Sequence, residues 1–235
     1  MAWTGRQWPD SEAEAVAEQE RLRGLVDLDS AGPEPGAAGR VAGVDVAYDA
    51  KTDRVAAAAV VLDLETLDVV EQATAVGRTS FPYVPGLLAF RELPPVLEAL
   101  ERLGAVPDLV VCDGYGIAHP RRLGLASHLG VLTGIPSFGV AKTPFSFSYE
   151  QPPAPRGAWT PLVDDGEVVG RALRTREGVK PVFVSVGHAI GLEHACGHTL
   201  RLTPRHRLPE TTRHADGLCR RSLAAALAAA SATAG

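Results

Sequence analysis

Cysteine is scarce and unpaired in this 235-residue chain: Cys112, Cys196 and Cys219 form no CxxC pair and leave an odd count. That excludes a disulfide scaffold and a zinc knuckle, and makes buried or incidental thiols in a reducing cytosol the expected state. No apolar run approaches the ~20 residues a membrane helix needs. A signal-peptide core is also missing, because the N-terminal stretch is polar and carries Asp10, Glu12, Glu14 and Glu18. A cytoplasmic protein is expected. There is no basic excess either: 23 Lys and Arg face 28 Asp and Glu, which argues against a wholesale nucleic-acid coat. Neither an internal repeat nor a convincing linker is visible, so one domain over residues 1–235 is expected.

What is present is uneven. Residues 1–30 hold seven acids against three bases, whereas residues 201–221 hold six arginines against Glu210 and Asp216. No acid occurs between Gly114 and Tyr149, a stretch containing His119, Arg121, Arg122 and Lys142. A local basic face on an acidic protein follows.

Residues 10–27 read as an exposed amphipathic helix. Three strand-like runs (Val41–Tyr48, Val55–Leu64, Leu67–Val76) are joined by short polar turns, so antiparallel pairing of neighbours is simplest. Leu93, Val96, Leu97, Leu100 and Leu103 follow helical spacing. Pro94 and Pro95 fit only near a helix start, which places that start there with Glu92 just ahead. Strands at Leu109–Cys112 and Ile135–Val140 bracket a helix over Arg122–Leu132. Short strands over 150–175, a strand at Pro181–Val186, a helix near Leu192–Leu202 and a last helix over Thr211–Ala230 complete the chain. The Ala-rich end, residues 223–235, is expected to fray. This order predicts an α/β fold: a mixed sheet of three antiparallel strands, then alternating strands and helices, flanked by helices. A ribonuclease-H-like fold has that order, and periodicity alone fits other α/β or α+β folds equally.

Two aspartates stand out. Asp113 is delivered by an apolar strand to a glycine-rich turn; it could equally cap or form that turn. Asp45 lies inside an apolar strand, where a charge is costly unless paired or bound to metal. Alternation could place it on the solvent face, but its same-face neighbours Gly43 and Ala47 are small and would leave room for a ligand. If the two strands adjoin, two carboxylates can hold Mg²⁺, which keeps waters and completes its shell with substrate phosphates. Such an ion activates water and neutralises the leaving oxygen of a phosphodiester. Glu92 could add a third carboxylate, or be a surface residue beside Arg91. Asp216 or His214 could reach the same place, or lie on a solvated helix face. Lys142 could offset the acids or hold a phosphate. His188, His194 and His198 approach metal spacing, but Gly187 and Gly197 beside them argue for turns. In Pro82-Tyr83-Val84-Pro85 two prolines stiffen an apolar loop of the kind that can enter a base stack; core packing of Tyr83 is the alternative.

Taken together these segments resemble the endonuclease V family over roughly residues 10–220. The matching pieces are Gly43-Val44-Asp45, Pro82 to Glu92 (PYVPGLLAFRE), Asp113 to Arg121 (DGYGIAHPR), Gly124 to Gly130, Ile135–Lys142 and Arg207–Asp216. The resemblance implies a ribonuclease-H-like, Mg²⁺-dependent hydrolase in which Mn²⁺ usually substitutes. It implies recognition of deoxyinosine in single- or double-stranded DNA and cleavage of the second phosphodiester bond 3′ to the lesion, leaving 3′-hydroxyl and 5′-phosphate ends and starting repair. It also implies roles: Asp45 and Asp113 as metal ligands, Glu92 completing the cluster through water, and Asp216 as fourth acid. Pro82, Tyr83, Val84 and Pro85 match the strand wedge. Gly86, Leu88, Gly114, Leu125 and Gly139 match the base pocket, and His119, Arg121 and Lys142 match phosphate or DNA contacts. Inosine-containing RNA as substrate, and a non-cleaving nucleic-acid-binding protein, are the alternatives; a monomer is the default. Gly187-His188 and the Ala-rich tail match no family motif.

Overall fold

The computed structural model describes residues 3–233. The chain order is α1 (Glu12–Arg23), β1 (Arg40–Asp49), β2 (Arg54–Asp63), β3 (Val69–Arg78), α2 (Leu88–Glu101), β4 (Leu109–Cys112), α3 (Leu125–Thr133), β5 (Ser137–Ala141), β6 (Trp159–Asp164), β7 (Glu167–Leu173), β8 (Val182–His188), α4 (Leu192–Arg201) and α5 (Glu210–Thr233). The strands form one mixed sheet in the order β3-β2-β1-β4-β5-β8-β7-β6. The β1–β2–β3 meander is antiparallel, β4 joins β1 and β5 in parallel, and the far side returns to antiparallel pairing. This is the ribonuclease-H-like arrangement that the order of elements predicts.

Both faces of the sheet are covered, so its central strands are apolar throughout rather than alternating. Ala42, Val44, Val110 and Cys112 pack with Leu93, Val96 and Leu97 of α2 and Leu129 of α3. Val41, Val60, Val111 and Val140 pack on the other face with Ala195 of α4 and Ala215 and Cys219 of α5.

Three expectations need correcting. α2 starts at Leu88, and Pro94, Pro95 and Glu92 all lie inside it. The prolines cannot donate to the carbonyls of Phe90 and Arg91, at about 3 kcal/mol for a helix-interior proline. Phe90, Leu93, Val96, Leu97 and Leu100 are all essentially buried. At roughly 2 kcal/mol per buried side chain they outweigh both prolines. Second, α1 is not simply an exposed helix, because Ala15, Gln19 and Leu22 are buried. Third, α5 runs to Thr233, past the Ala230 at which the last helix is expected to end, with Leu223 buried.

The room at Gly43 is also taken. A Cβ at Gly43 would lie 2.3 Å from the Thr211 backbone, so the absent side chain is what lets the start of α5 sit directly on β1.

Candidate active site

The register of β1 against β4 sets the geometry. Their last parallel pair is Val44 with Cys112, after which β4 ends while β1 runs on to Asp49. Asp45 and Asp113 are each one residue beyond that pair, on adjoining strands, at the notch where the sheet loses a strand. One flank of β1 is open at the level of Asp45, which leaves its carboxyl half-buried rather than enclosed.

Burial, and then repulsion from Asp113, push the Asp45 carboxyl up to about 7. The Val46 N–H donates to its Oδ1 at 2.8 Å and partly offsets this. Glu92, one turn into α2, is pushed up to about 8, first by burial and then by the charges of Asp45 and Asp113. The Tyr48 hydroxyl lies near enough to favour ionised Glu92, yet it is buried without a hydrogen-bond partner. Arg91 stacks 4.8 Å above the Tyr48 ring. Lys142, just past β5, reaches Asp113 with Nζ 2.5 Å from Oδ2. Burial opposes its charge, but Asp113, Asp45 and Asp216 hold its pKa above the ordinary lysine value. Asp216 projects from α5, pairs with Arg220 at 2.8 Å, and its charge is felt at Asp45. His214 is exposed elsewhere on that helix.

Among the described residues no three His, Cys, Asp or Glu side chains already close on a single point. Two carboxylates on adjoining strands, Asp45 and Asp113, with Glu92 behind them and a lysine standing in for a cation, still fit a hard divalent ion. Mg²⁺ takes one or two carboxylates and fills the rest of its shell with water and phosphate. Two of the three histidines with metal-like spacing serve the scaffold instead: Nδ1 of His188 accepts from the Asp27 N–H at 3.1 Å, and Nε2 of His198 lies 2.9 Å from the Pro33 carbonyl.

A cavity of about 390 Å³ opens directly onto these acids, with Glu92, Asp113 and Lys142 in its wall. Its other walls include Tyr83, Val84, Pro85, Gly86 and Leu88 on one side and Gly114, Leu125 and His119 on the other. Tyr83 is 71% exposed, so it is not a core residue. Pro82 is exposed at the loop's entrance, outside the wall. Gly139 lies behind the wall, where a Cβ would meet the Gly114 carbonyl at 2.4 Å; it lets β5 approach the Gly114 turn.

Two of the three expected DNA-contacting residues are committed inside the protein. Arg121 donates from Nη2 to the Gly86 carbonyl at 2.8 Å and from Nε to Gln19 Oε1 at 2.5 Å. His119 is buried, has Nε2 3.0 Å from the same carbonyl, and is held neutral, pushed down to about 4 by burial and then by Arg121. Long-range packing redirects both side chains inward, so Lys142 alone of the three presents a charge to the acids.

Sequence reasoning missed two contributors. Gln19 lines the cavity from α1, and nothing in its Glu- and Arg-rich neighbourhood marks it. Phe145 is 45% exposed at the cavity mouth and stacks on Tyr115, with centroids 5.8 Å apart. Its position in a Phe-rich loop after Lys142 was the available signal.

A ribonuclease-H-like sheet with an acidic notch and an adjoining pocket is the architecture of a nuclease. The endonuclease V family matches over residues 20–217. The endonuclease V of Streptomyces avermitilis is 68% identical over 221 residues, covering 94% of this chain and 96% of its own. The crystal structure of that protein superimposes with a TM-score of 0.91. A complex of Ciona intestinalis endonuclease V with a 24mer DNA containing an inosine followed by a ribo-adenosine is 28% identical, with a TM-score of 0.78, covering 90% of this chain and 97% of that one. The chain belongs to the endonuclease V family and is an endodeoxyribonuclease. Among the described residues no helix is long and apolar enough to cross a membrane.

Proposed function

We propose that this enzyme recognises deoxyinosine in DNA and, with Mg²⁺ (or Mn²⁺ in its place), hydrolyses the second phosphodiester bond on the 3′ side, which initiates repair. The observation that carries this is a single cavity whose walls include both the exposed wedge loop and two of the acids. The inosine-containing DNA bound by the Ciona relative supports the same substrate.

In this reading Asp45 and Asp113 hold the ion, Glu92 acts through water and Asp216 is the fourth acid. The ion supplies an activated water and charge neutralisation at the leaving oxygen. Lys142 pairs with Asp113 and meets the phosphate. Pro82, Tyr83, Val84 and Pro85 fill the gap left by the extruded base, whose flipping costs a few kcal/mol and less when it is mispaired. Gly86, Leu88, Gly114 and Leu125 bring backbone and a small apolar surface to the base edge. Gly139 shapes that wall from behind.

The test is direct. Labelled DNA and RNA strands with one central inosine are incubated with Mg²⁺ and the cut is mapped. A DNA cut one nucleotide beyond the lesion's own 3′ phosphodiester is expected. An RNA-only cut favours the second reading, inosine-directed RNA cleavage, to which the ribo-adenosine in the Ciona complex lends support. No cut on either strand leaves a binding protein.

A further inference from the structure

We propose that Gln19, on a helix that supplies no acid to the site, is a positioning residue for base recognition: it ties the two walls of the base cavity together before DNA arrives. This rests on reading the Pro82–Gly86 loop and the adjoining cavity as the inosine site.

Gln19 is 1% exposed, on a helix that otherwise buries only Ala15 and Leu22. Its amide nitrogen donates to the Gly86 carbonyl at 3.0 Å and to the Leu123 carbonyl at 3.1 Å. Both amide protons are thereby used. Gly86 closes the wedge loop, whereas Leu123 leads into Gly124 and Leu125 of the opposite wall. One side chain therefore spans the cavity's base. Its Oε1 accepts from Arg121 Nε, which fixes the amide's orientation.

The Gly86 carbonyl is the centre of this arrangement. It receives Gln19 Nε2, Arg121 Nη2 at 2.8 Å and His119 Nε2 at 3.0 Å. His119 can donate there because its Nδ1 accepts the Arg121 N–H at 3.2 Å, leaving the proton on Nε2. Gly86 has φ +80°, and a Cβ on it would meet Arg121 Nη2 at 2.9 Å. The peptide is thus pinned where exposed Tyr83 is joined to the helix carrying Glu92. Three donors on one oxygen exceed its two lone pairs, so Gly86 does not offer this carbonyl to a base. What the loop gains is rigidity, which lets the wedge open a duplex and keeps the cavity at one width.

Gln19→Glu keeps the shape and the partner of Arg121 but sets a carboxylate against two carbonyl oxygens. Gln19→Met keeps the volume and removes every bond. Both would be compared with wild type for thermal melting, for kcat and KM on inosine duplex and single strand, and for the fluorescence of 2-aminopurine placed beside the lesion, without metal. Loss of buried donors should raise KM on the duplex about tenfold, with kcat changed less than about threefold, and should weaken the fluorescence rise at saturating protein. The single strand should lose less, because no partner strand has to be displaced. Equal losses on both substrates, or kinetics and fluorescence indistinguishable from wild type, would overturn the proposal and leave Gln19 as an anchor for α1. Wild-type protein that neither cuts nor opens inosine DNA would instead remove the substrate reading, and this proposal with it.

Discussion

At one end of the cavity burial and the neighbouring acids push the Asp45 and Glu92 carboxyls up, and the Tyr48 hydroxyl is buried without a partner. At the other end the Gly86 carbonyl is over-supplied with donors and both protons of Gln19 are spent. The acid end is electrostatically incomplete, and a cation and a phosphate would complete it. The wedge end is complete by itself. Chemistry that needs a bound ion gains from strong, unmet negative charge, because the protein cannot then satisfy itself without the ion. Opening a base stack gains from the opposite, a loop whose ordering cost is met during folding rather than on binding.

Removing charge from the acid end should break this contrast most severely. Asp45→Asn or Asp113→Asn is expected to lower cleavage by at least about a thousandfold while inosine-strand binding stays within about tenfold, because the metal serves chemistry more than docking. Gel-shift and single-turnover assays on the same preparations check this, and wild-type cleavage by either variant would refute the assignment.

The pH dependence of metal binding follows from the same repulsion. Asp45 and Glu92 hold protons up to about 7 and 8, so an ion must displace them. Apparent affinity should rise with pH by as much as about a hundredfold per unit below 7 and about tenfold per unit from 7 to 8, and level off above about 8. Titrating Mg²⁺ by calorimetry from pH 6 to 8.5 tests it, and a pH-independent affinity would count against the coupling.

The wedge end should respond to geometry rather than charge. Tyr83→Ala is expected to reduce duplex cleavage about tenfold more than single-strand cleavage, since only the duplex needs its gap filled. Equal losses would argue against a wedge.

The smallest effect concerns stability. The folded pKa values of Asp45 and Glu92 lie above their ordinary 3.8 and 4.5, so the folded chain binds more protons than the unfolded chain between those limits. Their contribution to stability therefore falls as pH rises from about 4 to about 8. Without divalent ions the melting temperature should drop by a few degrees over pH 6 to 8.5, at roughly 2–4 °C per kcal/mol for a chain of this size. Added Mg²⁺ should restore most of it. A melting temperature that rises with pH would contradict the direction of both shifts.

Legibility along the chain followed the range of the interactions. The β1–β2–β3 meander, β4 and the Asp113 turn were readable because apolar runs and turn residues are local signals. Asp45 was readable as an anomaly, a charge in an apolar strand. The reading of Gly43 as room for a ligand failed because α5, arriving from more than 160 residues away, fills the space there, whereas Ala47 does line an open cavity. Pro94 and Pro95 misled for a related reason: local preference ends a helix there, and burial of its apolar face carries it through. The inward hydrogen bonds of His119 and Arg121 were not readable, because a basic residue after a glycine turn carries no mark of an inward partner. That partner, Gln19, is on a helix 102 positions away from Arg121.

By itself, then, the sequence determined the order of strands and helices, the family, and which carboxylates were candidates for the site. Each of these depends on residue type and spacing along the chain. Only the tertiary structure decided that β4 stops level with Asp45, that α5 brings Asp216 to β1, and that Gln19 joins the cavity walls. Those outcomes depend on which distant surfaces meet, and a hydrogen bond or a missing Cβ acts only once they have met.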